Sequence, residues 1–308
     1  MRFPGAIGAV ALAAALTLAA CQASQTTTDR TAVPTADPSS ASIAAAPSSP
    51  DCGEWSCAQS ERFAAAERYL ADVPGYVGFT IRDRRTGARR RFGEPGRRIW
   101  AGSTPKLALA LALREQARAG ELSLDAAADA QIAAMLSVSD NKAADALWDR
   151  YVDSESLMAR FVARYGMADA GYVAGFPRRW GFVKCSTEDL ANLMAYILDK
   201  ADPKDRDYLV KAMRGVGPVQ HWGVWGAGPA EQPGVKNGWS IEKDAGRDHW
   251  ITATVGFAGP DERYIVAGMY HQRPGGDSIE RGVQVLTDLA ALTFGAPVPA
   301  PVVIPRDY

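Results

Sequence analysis

Apolar and polar positions divide the chain into stretches of different character. Residues 6–18 form a nearly unbroken apolar run, AIGAVALAAALTL, with Arg2 ahead of it. Residues 22–50 hold almost no large apolar side chain. From about residue 51 onward, periodic patterns set in. Phe63, Ala64, Tyr69 and Leu70 fall roughly on one helical face and predict a helix over 60–71. Residues 75–83 alternate as a strand, Arg85-Thr86-Gly87 makes a turn and 88–92 run back, which predicts a hairpin. A short strand is expected at 98–101. Residues 107–119 are apolar nearly all round and end at Gly120, so they predict a buried central helix with a glycine stop. Further helices are expected over 126–138, 142–151 and 154–165. Another follows from Ser186-Thr187-Glu188-Asp189, a capping sequence, to about 198. Residues 167–183, rich in Gly, Pro and Arg, read as loop. Three strands follow at 234–240, 249–256 and 263–270, then an amphipathic helix over 277–294. Two strands, a helical block, three strands and a helix predict an α+β fold. It would have one five-stranded antiparallel sheet flanked by helices, plus an all-helical lobe.

The leading apolar run is shorter than the roughly 20 residues a dependable membrane span needs. A basic residue followed by such a run is the layout of a secretory signal. It ends at Leu18-Ala19-Ala20-Cys21, which resembles the lipobox read by bacterial lipoprotein signal peptidase. The expectation is a signal peptide at 1–20 and lipidation of Cys21. The protein would then be exported and held on the extracytoplasmic face of the cell membrane by acyl chains. Residues 21–50 would be a disordered tether, since they cannot bury enough surface to offset chain entropy. The folded domain would span 51–296 and a tail 297–308. A net charge of −1 gives no electrostatic case for nucleic acid. Outside the cytoplasm Cys52 and Cys57 are disulfide candidates, and Cys185 is an alternative partner for either. His221, His249 and His271 are scattered without zinc-site spacing, so neither a metal nor another cofactor is expected.

Candidate chemistry begins with Ser103 and Lys106, three apart at the start of the buried helix and therefore on one helical face. A serine hydroxyl is a weak nucleophile until a base takes its proton. A lysine serves as that base when burial or a nearby cation disfavours its ammonium form. Alone the pair reads more readily as an N-cap and a solvated charge. Ser139-Asp140-Asn141 and Lys236-Asn237-Gly238 change that reading, although each also has an ordinary one, as a helix cap and as a turn signal.

In this order and on these elements, the three segments resemble the Ser-x-x-Lys, Ser-Asp-Asn and Lys-Thr-Gly motifs of the penicillin-recognising serine hydrolases, nearest their class A β-lactamase branch. The resemblance runs from Tyr76 to Phe294, and extends to a group of actinobacterial surface lipoproteins. It implies Ser103 as the acylated nucleophile, Lys106 as its base and Ser139 as proton relay to the leaving group. Asn141 would hold the substrate amide and position Lys106, and Lys236 would attract a substrate carboxylate. The N–H groups of Ser103 and Trp239 would form an oxyanion hole, and Gly238 would let the substrate lie close to the strand. Asn237 stands where the pattern has a substrate-binding hydroxyl. Residues 167–183 lack the family's deacylating Glu and carry only Asp169. Ser103 and Ser139 are closer in sequence than in typical β-lactamases, which implies a trimmed lobe and a more open site. Two functions follow as expectations. One is a serine hydrolase acting on an amide or ester, a cell-wall peptide or β-lactam among them, with slow deacylation. The other is a catalytically degenerate binding module that holds a peptide, glycan or partner protein. Glutaminase, a third activity on this fold, fits poorly with export.

Overall fold

The computed structural model describes residues 53–244, 246–274 and 278–306; Cys21, Cys52, the leader and the tether lie outside them. The described chain runs α1 (Cys57–Ala71), β1 (Tyr76–Asp83), β2 (Arg89–Gly93), β3 (Ile99–Trp100), α2 (Pro105–Arg118), α3 (Ala126–Ser137), α4 (Asn141–Tyr151) and α5 (Ser154–Ala163). It continues with β4 (Gly171–Tyr172), β5 (Val183–Cys185), α6 (Thr187–Asp199), α7 (Pro203–Arg214), β6 (Gly234–Asp244), β7 (Arg247–Ala258), β8 (Tyr264–His271) and α8 (Ile279–Phe294).

Local chemistry fixes where most helices begin. Asp125, Asp140, Asp153 and Asp202 each accept a hydrogen bond from a first-turn N–H of the helix they precede. Such caps satisfy donors that the helix itself leaves open. Ser56 with Gln59, and Ser186 with Asp189, form reciprocal capping boxes at α1 and α6.

The main sheet has the order β2-β1-β8-β7-β6, antiparallel throughout, as expected. Alternation sorts its side chains onto two faces. Val77, Phe79 and Ile81 of β1, with Val266 and Tyr270 of β8, join Phe63 of α1 and Val283 and Leu286 of α8 in one core. Ile265, Ala267 and Met269 of β8, with Ala253, Val255 and Phe257 of β7, join the helical lobe in the other. Residues 105–113 of α2 are all buried, so this helix is the axis of that lobe. Pro105 sits at its first turn, where a missing N–H costs nothing.

Three features depart from the expectation. The stretch 167–183 is not all loop: it contains β4, which pairs with β5, and β5 pairs with β3 in a second small sheet. Strands of two or three residues are too short to show alternation. Periodicity assigned nothing between 199 and 233, where α7 lies with only Asp205, Leu209, Val210 and Met213 buried. Strand β6 continues past Ser240 to Asp244 because pairing with β7 carries it on through charged residues. Cys185 is a buried, free thiol, which removes it as a partner for Cys52 or Cys57. After Gly295 the chain stays on the domain: the Ala300 N–H donates to Asp288 and its carbonyl accepts from Gln284.

Candidate active site

Two glycines bring the start of α2 against the edge strand β6. A Cβ on Gly238 would lie 2.5 Å from the Ser103 nitrogen, and one on Gly102 would lie 2.9 Å from the Trp239 nitrogen. Gly102 also has φ +55°, a conformation that glycine adopts without strain. Only glycine at both positions lets Ser103 and Trp239 come this close. Alternate N–H groups of a strand point the same way. The Asn237 N–H leaves the free edge of β6 to reach Gln220 Oε1 at 2.8 Å, so the Trp239 N–H points off that same edge. Ser103 and Trp239 line one cleft of about 1010 Å³ together with Ser139, Asn141 and Trp180.

Lys106 is fully buried one helical turn beyond Ser103. Its Nζ donates to the Ser139 carbonyl at 2.7 Å and to Asn141 Oδ1 at 2.6 Å, with Ser139 Oγ at 3.4 Å. Burial pulls its pKa down from 10.5 to about 7, against the opposing pull of Asp140 and Asp145. A buried lysine with this pKa is partly neutral at neutral pH and able to accept a proton. Lys236 Nζ is 3.0 Å from Ser139 Oγ. Complete burial, and then the nearby Lys106, hold its pKa well below the ordinary value. The Ser139 hydroxyl therefore lies between two desolvated amines. Its residue has φ +62°, a strained conformation for a non-glycine residue that functional sites often hold.

The expected residues converge, with two corrections. Lys236 does not present itself to the cleft. Ser139 Oγ, Gln220 Oε1 (3.3 Å) and its own Asn237 carbonyl (2.6 Å) occupy all three positions on its nitrogen. Asn237 does not line the cleft either. It is fully buried, and its Nδ2 donates to the carbonyls of Gln220 and Trp222. Its neighbours Lys236 and Gly238 face the nucleophile, so alternation turns Asn237 to the other face of β6.

Two residues escaped the sequence reading. Trp180 sits over Lys106 Nζ, 4.1 Å from its ring centroid, and its indole N–H is held by Asp145 at 2.9 Å. The segment in which the resemblance puts a deacylating Glu thus sends an indole to the lysine, while Asp169 is exposed and is not among the residues lining the cleft. An aromatic in a Gly- and Pro-rich stretch was its only sequence signal. Gln220, fully buried, ties the Ser139 turn to β6. Its Nε2 donates to the Leu136 and Ser137 carbonyls at the end of α3, and its Oε1 accepts from Asn237 N and Lys236 Nζ. No local pattern marks it. Gln220→Leu is expected to leave several buried polar groups unpaired and to cost about 2–4 kcal/mol of stability in urea denaturation.

No family model matches the chain, and no curated protein matches it in sequence. Solved structures do. A β-lactamase from Burkholderia vietnamiensis superposes with TM-score 0.62 at 20% identity, over 79% of this chain and 97% of that one. A protein named PBP-A gives TM-score 0.62 at 20% identity, over 76% and 95%. A β-lactamase from Xanthomonas campestris pv. campestris gives 0.60 at 20%, over 77% and 98%.

Proposed function

From a chain that has the fold of the class A β-lactamases, we propose a penicillin-recognising serine hydrolase relative that transfers acyl groups through Ser103. It is exported, lipid-anchored at Cys21 and acts on an amide or ester. The observation that carries this reading is the Ser139 hydroxyl set between the Lys106 and Lys236 amines, on the cleft that Ser103 lines. Neutral Lys106 takes the Ser103 hydroxyl proton as Oγ bonds to the substrate carbonyl carbon. The N–H groups of Ser103 and Trp239 hold the oxyanion. Its collapse breaks the bond to the leaving nitrogen or oxygen, which receives the Ser139 proton while Lys106 returns its own to Ser139. Water then attacks the acyl-enzyme, gives a proton to Lys106 and releases the acid, and that proton goes back to Ser103.

This last step is the slow one. The two carboxylates lining the cleft are engaged elsewhere: Asp140 caps α4, and Glu242 accepts from Ser240 Oγ at 2.6 Å. Without a free carboxylate to hold and deprotonate the water, which leaves only Lys106 for that task, breakdown of the acyl-enzyme is slowed about 10²–10⁴-fold. A burst of one p-nitrophenol per chain, then slow release, is expected with a p-nitrophenyl ester in stopped-flow absorbance. The direct test is intact mass of the full-length chain in detergent after treatment with a fluorophosphonate. One adduct on the wild type and none on Ser103→Ala supports acyl transfer. No adduct on either favours a non-catalytic binding module, a reading to which the engaged Lys236 and the missing loop carboxylate lend weight.

The signal at Leu18-Ala19-Ala20-Cys21 supports the anchor, and among the described residues no helix is long and apolar enough to cross a membrane. Cys21→Ser is expected to lose incorporated labelled fatty acid and to leave the membrane fraction. Label retained by the variant would overturn the assignment. A Cys52–Cys57 disulfide belongs to the same reading, supported by their close spacing in an exported chain and by the free, buried Cys185.

A further inference from the structure

Resting on the acyl-transfer reading above, we propose that the substrate's acyl group is apolar and carries no carboxylate. The cleft has lost the means to receive an anion. Lys236, buried behind Ser139, has no position left on its nitrogen for a ligand. Asn237 is turned away and donates to two backbone carbonyls. Lys106 is buried beneath the Trp180 ring, with Asn141 and the Ser139 carbonyl as acceptors. Arginine is absent from the residues lining the cleft. Its lining charges are Lys142, exposed on the first turn of α4, and the carboxylates of Asp140 and Glu242. Two carboxylates and one exposed amine line the cleft, and a substrate carboxylate entering it would be stripped of water without a partner, which is costly.

The walls point to what enters instead. Val138, Trp180, Val219, Trp239 and Ile241 line the cleft. Val138 is 48% exposed and Ile241 51% exposed, two of the seven large apolar side chains that the described surface leaves open to water. Covering them is favourable by about 25 cal/mol per Å² of apolar surface. The Trp180 indole offers a face against which an aromatic or branched acyl group packs. The reaction is the one written above: Ser103 Oγ bonds to the acyl carbon, the alcohol or amine leaves with the Ser139 proton, and water supplies the atoms of the released acid.

The experiment compares two esters with one leaving group on the full-length chain in detergent. One is p-nitrophenyl 4-methylbenzoate and the other mono-p-nitrophenyl terephthalate, which puts a carboxylate in place of the methyl. Intact mass follows the rate of Ser103 acylation, with Ser103→Ala as blank and a fluorophosphonate adduct as a separate check of the nucleophile. The expected result is acylation by the methyl ester at least about tenfold faster, since a site without a partner for a charge discriminates against it. Equal or faster acylation by the terephthalate overturns the proposal. So does fluorophosphonate labelling of Ser103 with neither ester reacting, and in that case acyl transfer itself survives. Absence of the fluorophosphonate adduct overturns acyl transfer and this proposal with it.

Discussion

Lys106→Met is expected to slow acylation of Ser103 by about 10²–10⁴, the usual loss on removing a general base. Methionine fills a similar volume without a nitrogen to take the proton. In the wild type, the labelling rate follows the neutral fraction of Lys106, whose pKa is about 7. Below that pH the lysine is protonated and cannot accept. The rate should therefore rise roughly tenfold per pH unit up to 7 and level off above about 8. The variant should be slow and lose this inflection. Fluorophosphonate labelling between pH 5 and 9, read by intact mass, tests both. A wild-type profile flat through pH 7 would remove Lys106 from the role. Stability gives an independent readout. Because the folded pKa lies below the ordinary 10.5, the unfolded chain binds more protons between about pH 7 and 10.5, and stability rises with pH across that window. Lys106→Met removes this contribution to the slope.

Gly238→Ala should cut acylation by about 10²-fold or more while leaving the domain folded. The new Cβ would sit 2.5 Å from Ser103 N, 2.9 Å from the Ala101 carbonyl oxygen and 2.9 Å from Thr104 N. All three are backbone atoms, so no side chain can swing aside. Strand β6 and the turn before α2 must separate by something near 1 Å, a misplacement that commonly costs about 10²-fold. The Trp239 and Ser103 N–H groups would move apart with them, weakening the oxyanion hole. Gly96→Ala, where an added Cβ meets nothing within 4 Å, is the control expected to leave the rate unchanged. Labelling rate and thermal melting of the two variants separate a local displacement from loss of fold. An unaltered rate in Gly238→Ala would mean that this close approach is not needed for acylation.

The sequence by itself determined what depends on neighbours a few residues apart. Alternation placed β1, β7 and β8. Side-chain caps marked α6, the all-round apolar pattern marked α2 as buried, and the three short motifs singled out Ser103, Lys106, Ser139 and Asn141. Each of these signals lies within one turn or one strand, where helix and strand geometry fix which side chains share a face. Only the tertiary structure decided what each of those faces meets. Lys106 has its lowered pKa because the fold buries it, against Ser139, 33 residues on. Lys236 was closed off by Ser139, 97 residues away in sequence, and by Gln220, which no pattern marked. Asn237 found backbone carbonyls rather than the cleft, and Trp180 reached Lys106 from a stretch that carried no periodicity. Charge, desolvation and access at the site are set by groups that packing brings together across such separations, and a local pattern holds no record of them.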